Sequence, residues 1–147
     1  MRRFHAAPAS ITFKLSPTLL LRKQRPSRKS CFKWLITGSI AGFTPGSFQA
    51  IYNATKAYIR AVSLALAGEV AGTGVTVNAL APGYTVTPFS QANQAEFHAF
   101  VSDWTPAKRW GRPEDICGAA VMLASDAGAY INGHTLYIDG GFLSVTK

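Results

Sequence analysis

Apolar residues fall along this chain in short runs separated by glycine and proline. Residues 35–37, Leu-Ile-Thr, form an apolar step that stops at Gly38-Ser39 and reads as a short buried strand. Residues 40–49 carry Gly42, Pro45, Gly46 and Ser47, which are turn formers, and read as a loop. Over residues 50–71 the positions Ala54, Ala57, Ala61, Leu64, Ala65 and Gly68 give a helix with a small-residue face suited to close packing. Gly72-Thr73-Gly74 stops that helix. Residues 75–80 are rich in β-branched side chains and predict a strand, ended by Pro82-Gly83. Residues 85–105 predict a mobile segment with a helix near 91–101. Pro113 opens a further helix, where its missing N–H costs nothing, running to about Ala124. Residues 136–138 read as the last strand. Strand-helix alternation of this kind implies parallel βαβ units and an α/β fold.

Charge divides the chain in two. The formal net charge is +8, yet nine of the fifteen basic residues precede Trp34 and no acidic residue precedes Glu69. From Trp34 onward, six basic residues face seven acidic ones. The basicity therefore belongs to a leader, residues 1–33, and residues 34–147 form a near-neutral domain. A nucleic-acid partner is not indicated, because the leader lacks interleaved aromatics for stacking. Its Arg- and Ser-rich, acid-free composition fits an organellar transit peptide. The favoured expectation is a disordered segment foreign to the domain, such as a truncated or misassigned reading frame leaves. Cys31 and Cys117 are isolated thiols, so neither a disulfide framework nor a metal site is expected, and a reducing, cytoplasmic setting is the default. The scattered His5, His98 and His134 do not suggest a zinc site. No apolar run approaches the length of a membrane span.

The candidate chemistry lies in Tyr52-Asn53-Ala54-Thr55-Lys56, with Ser39 thirteen residues before the tyrosine. A four-residue spacing puts the phenol and the ammonium on one helix face. A phenol is a poor acid, with a reference pKa of about 10, and a nearby cation favours the phenolate. A serine hydroxyl opposite can donate to a carbonyl oxygen. Together the three groups can protonate an alkoxide as it forms, or deprotonate an alcohol as it is oxidised. Alone, the pair has a plain alternative: an aromatic packed beside a solvated lysine.

The flanking motifs favour the chemical reading. Thr37-Gly38-Ser39-Ile40-Ala41-Gly42 holds the serine. Downstream stand Asn78-Ala79-Leu80-Ala81-Pro82-Gly83-Tyr84-Thr85-Val86-Thr87, then Arg109-Trp110-Gly111-Arg112-Pro113-Glu114-Asp115, then Asp139-Gly140-Gly141. In this order and at these spacings, residues 35–142 resemble the C-terminal half of a short-chain dehydrogenase/reductase. The run from Arg109 to Phe142 is similar to that of the family's sugar-acid and polyol dehydrogenases, gluconate 5-dehydrogenase among them. The resemblance implies part of a Rossmann-like doubly wound parallel sheet, lacking the N-terminal dinucleotide-binding units. It implies NAD or NADP as cofactor and an alcohol/ketone pair as substrate. Ser39, Tyr52 and Lys56 become catalytic candidates, with Lys56 also reaching the nicotinamide ribose. Pro82, Gly83, Thr85 and Thr87 become cofactor candidates, the Thr85 backbone and Thr87 hydroxyl facing the nicotinamide carboxamide. Asn78 and Asp139-Gly140-Gly141 are read as structural, and Trp104 and Trp110 as packing groups. The family pattern also implies a homo-oligomer, or association with a homologous subunit.

What is missing limits this reading. No G-x-G-x-x-G or G-x-x-x-G-x-G run opens a helix near the start, where the family's phosphate loop stands. The family's upstream catalytic asparagine is missing as well. The missing half weighs against independent activity, and the alternative is a non-catalytic relic or interaction module pairing with a full-length homologue.

Overall fold

A computed structural model describes residues 32–44, 46–88, 90 and 95–144. The leader lies outside them except for Phe32 and Lys33, as do Cys31, Pro45 and the expected helix start at 91–94. Lys33 is the first residue of strand β1 (Lys33–Thr37), one position ahead of the boundary placed before Trp34. A 3-10 turn at Ile40–Gly42 leads on to helix α1 (Ala50–Glu69). Strand β2 (Thr76–Pro82), helix α2 (Ala95–Trp104), helix α3 (Pro113–Ala124) and strand β3 (Thr135–Ile138) follow.

The three strands make one parallel sheet in the order β1-β2-β3. Leu35 pairs with Asn78 and Ala79 with Thr135. Among the described strands only β2 has two neighbours, and it is buried from Thr76 through Ala81, with Val77, Ala79 and Ala81 fully enclosed. This explains why its sequence is an almost unbroken apolar run: a parallel strand covered on both faces needs no polar alternation. Thr76, at the strand start, and Asn78 are the polar exceptions, and the Asn78 side chain is satisfied at both ends. Its Nδ2 donates to the Ile131 carbonyl at 2.8 Å, and its Oδ1 accepts the His134 N–H at 3.0 Å. The buried asparagine thus stitches the loop before β3 onto the middle strand, in keeping with its structural assignment.

α1 ends at Glu69, two residues earlier than the pattern suggested, and the chain reverses through Gly72 and Gly74, both at positive φ. α3 occupies the expected span. The Asp115 carboxylate accepts the Arg112 N–H at 2.7 Å and ties down its first turn. Among the described residues no helix is long and apolar enough to cross a membrane.

Candidate active site

The catalytic and cofactor candidates outside α1 lie at or beyond the carboxyl ends of the strands. Ser39 follows β1, Pro82 and Gly83 close β2, and Asp139 follows β3. In open parallel sheets this edge is where ligands bind, because the loops there are free to diverge. α1 brings its first turns to the same edge. Lys56 Nζ lies 3.4 Å from the carbonyl oxygen of Thr37, the last residue of β1, a long hydrogen bond.

Tyr52 and Lys56 do share a face: the ammonium lies 5.7 Å from the centre of the phenol ring. Tyr52 is 49% exposed, so its hydroxyl can meet a ligand. The Ser39 hydroxyl oxygen accepts the Ala41 N–H at 3.1 Å and caps the 3-10 turn. A hydroxyl that accepts in this way keeps its own proton to donate. Gly42 seats this turn against α1. A Cβ at Gly42 would lie 2.8 Å from both the backbone carbon and oxygen of Lys56. The serine turn therefore lies directly on the helix backbone at the lysine.

The second arm of the site leaves β2. The Gly83 N–H donates to the Ile138 carbonyl at 3.0 Å, and a Cβ there would stand 2.7 Å from Asp139 Cα. Pro82-Gly83 thus brings the chain hard against the end of β3. Thr85 then forms an isolated parallel bridge with Gly111. That bridge uses the Tyr84 carbonyl and the Val86 N–H, at 2.9 Å each. In parallel pairing the residue between those two groups directs its own N–H and C=O the opposite way. Thr85 is therefore placed to offer backbone groups to a ligand. The Thr87 hydroxyl takes an N–H from Ser90 at 3.2 Å.

Three groups at this edge make contacts that no sequence motif discloses. Tyr84 is packed edge-on by Phe97, Trp110 and Phe142, at centroid distances of 5.5, 5.5 and 5.1 Å. Burial pushes its phenol pKa up, and the neighbouring Tyr52 adds to the shift. Ser90 hydrogen-bonds Thr87, and His98 hydrogen-bonds Ser90. Arg109 and Asp115 form a bidentate ion pair at 2.6 and 2.9 Å. They line a cleft of about 270 Å³ with Tyr84, Ile138 and Asp139. Among the described residues no three His, Cys, Asp or Glu side chains group as metal ligands.

Hydrogen bonds from Arg109 and from the Arg112 N–H hold the Asp115 carboxyl down at about 2, against an ordinary 3.8. A depressed carboxylate pKa contributes stability above the unfolded-state value and loses it as pH falls through the folded one. Acid unfolding of the native chain should therefore show a component between about pH 4 and pH 2 that Asp115→Asn removes. The pair is solvent-exposed, so the component should be small and should shrink in high salt. Identical acid curves for the two proteins would contradict this.

A family model described as enoyl-(acyl carrier protein) reductase matches residues 13–143. The chain belongs to the short-chain dehydrogenase/reductase family. The match begins within the basic leader. A 2-dehydro-3-deoxy-D-gluconate 5-dehydrogenase of Pseudoalteromonas atlantica is 43% identical over 76% of this chain and 44% of its own length. A 3-oxoacyl-[acyl-carrier-protein] reductase of Salmonella typhimurium is 36% identical over 92% of this chain and 54% of its own. Among solved structures, a gluconate 5-dehydrogenase from Burkholderia cenocepacia, in complex with NADP and tartrate, superposes with a TM-score of 0.75. It is 36% identical, over 78% of this chain and 46% of that one. The chain spans about half the length of the short-chain dehydrogenase/reductase relatives it matches.

Proposed function

We propose that this chain carries the reaction centre of an NAD- or NADP-dependent oxidoreductase acting on a small alcohol/ketone pair. The observation that carries the reading is the seating of the Ser39 turn on α1 at Lys56, one helical turn from Tyr52. Tyr52 gives its phenolic proton to a forming alkoxide, or takes the proton of an alcohol. Lys56 holds positive charge beside that phenol, and Ser39 donates to the substrate oxygen. When bound, a nicotinamide supplies or accepts the hydride.

The nicotinamide end of such a cofactor fits the residues present. The outward backbone of Thr85 and the hydroxyl of Thr87 offer donors and an acceptor to a carboxamide, and Lys56 is available to a ribose. The pyrophosphate end does not fit the described residues. The one run with phosphate-loop glycine spacing, Gly68, Gly72 and Gly74, closes α1 and precedes β2, the reverse of the strand-to-helix order that points N–H groups at phosphate. The isolated chain should therefore bind NAD(H) or NADP(H) no better than about 1 mM, or about −4 kcal/mol. Calorimetry showing micromolar binding would contradict this division of the site. Hydroxylated sugar acids are the proposed substrate class, on the likeness to gluconate-type dehydrogenases, and the cytoplasm the proposed setting.

A second reading, an interaction module that joins a homologous subunit or another copy, is favoured by the surface. Along α1, Ile51 and Tyr58 are exposed seven residues apart and so share one face, and β1 is an outer strand among those described. An open strand edge and an apolar helix stripe both invite association. Sedimentation at micromolar concentration should show self-association, or capture of a full-length homologue. A single monomer with a cooperative thermal transition would count against it.

A further inference from the structure

Thr87 is fixed by its neighbour Ser90 through three close hydrogen bonds. The Thr87 N–H donates to Ser90 Oγ at 2.8 Å, and that hydroxyl donates back to the Thr87 carbonyl at 3.0 Å. The Ser90 N–H donates to Thr87 Oγ1 at 3.2 Å. The hydroxyl proton of Thr87 has only a long contact, 3.4 Å to Ser90 Oγ. It is the one group of this residue left without a close partner among the described residues. Ser90 is itself buried and held from a second side. His98 Nε2 lies 3.2 Å from the Ser90 carbonyl, which makes it a donor and sets the tautomer. The His98 ring stacks on Trp110 at 4.2 Å, and the Trp110 indole N–H donates to the His98 carbonyl at 3.1 Å. Trp110 adjoins Gly111, the bridge partner of Thr85. The segment from Thr85 to Ser90 is thus tied at both ends to the same strip of chain.

We infer that Ser90 and His98 are positioning residues that aim the Thr87 hydroxyl at the carboxamide oxygen of a nicotinamide, an assignment resting on the cofactor reading above. The chemistry is specific. Ser90 satisfies both backbone groups of Thr87 and one lone pair of its hydroxyl oxygen, so the hydroxyl proton, held only by the 3.4 Å contact, is free to be donated outward. His98 prevents Ser90 from turning away. Neither residue touches the cofactor.

The test compares NAD with its thionicotinamide analogue, whose sulfur is a weak acceptor, on the full chain by saturation-transfer NMR. The wild-type chain should prefer NAD by about fivefold, the scale of one hydrogen bond. Ser90→Ala should bring that ratio to about one, His98→Leu should reduce it, and Ser90→Thr should keep it. A loss of ordinary packing would weaken both nucleotides alike and leave the ratio unchanged. That result, or equal binding of the two nucleotides to the wild type, overturns the assignment while the cofactor reading stands. Failure of the wild type to bind either nucleotide saturably even through the millimolar range, where the cofactor reading places its affinity, overturns both.

Discussion

Tyr52→Phe is expected to lower hydride transfer by about 100-fold or more, the lower scale for losing a general acid-base group. The substitution keeps the ring over which Lys56 sits and removes only the proton that is exchanged. Tyr52 is half-exposed and packs into no core, so the variant should fold as the parent does. The assay is nicotinamide absorbance with a hydroxy sugar acid, on this chain alone or complemented by the N-terminal half of a homologous enzyme. Activity within a factor of two of the parent would move the proton-transfer role elsewhere. Tyr84, a phenol close enough for Tyr52 to raise its pKa, is then the second suspect.

Gly42→Val should be the most disruptive change at the site. Its first new atom meets the backbone of α1 at Lys56 and Ala57 within 3.0 Å, and a helix backbone cannot retreat as a side-chain tip can. Overpacking of this kind costs about 3 kcal/mol at its upper range. That corresponds to a fall in Tm of roughly 10 °C for a domain of this size. Any surviving activity should fall with it, since the serine turn is pushed off the lysine. Gly118→Ala is the contrast. Nothing lies within 4 Å of a Cβ there, and it stands inside α3. It should be neutral or stabilising by about 0.5–1 kcal/mol. A Gly42→Val protein as stable as the parent would show that the serine turn is not clamped.

The fold was legible where local chemistry decides it. Pro113 fixed the start of α3, Gly72 and Gly74 placed the end of α1 to within two residues, and the β-branched run set the course of β2. Boundaries slipped where the strand partner decides: β1 extends back to Lys33 because Thr76 pairs with it, a contact no local pattern carries. At the site, the shared face of Tyr52 and Lys56 follows from helical spacing and was readable. The clamp at Gly42 was not, since it depends on the backbone of Lys56 and Ala57, in the second turn of α1, lying against the loop. Ser90 and His98 were equally silent. Their roles arise from a turn meeting α2 and Trp110, and neither residue belongs to a recognisable motif.

The claim that this edge is a nicotinamide reaction centre is tested most directly by mapping reduced nicotinamide mononucleotide on the isotope-labelled chain by NMR. This ligand carries the reactive ring, carboxamide and ribose and has no need of a dinucleotide phosphate loop. Saturable shifts are expected at Ser39, Tyr52, Lys56, Thr85 and Thr87, with a dissociation constant on the order of 1 mM. Saturable shifts confined to other surfaces, or none at these five residues, would contradict it.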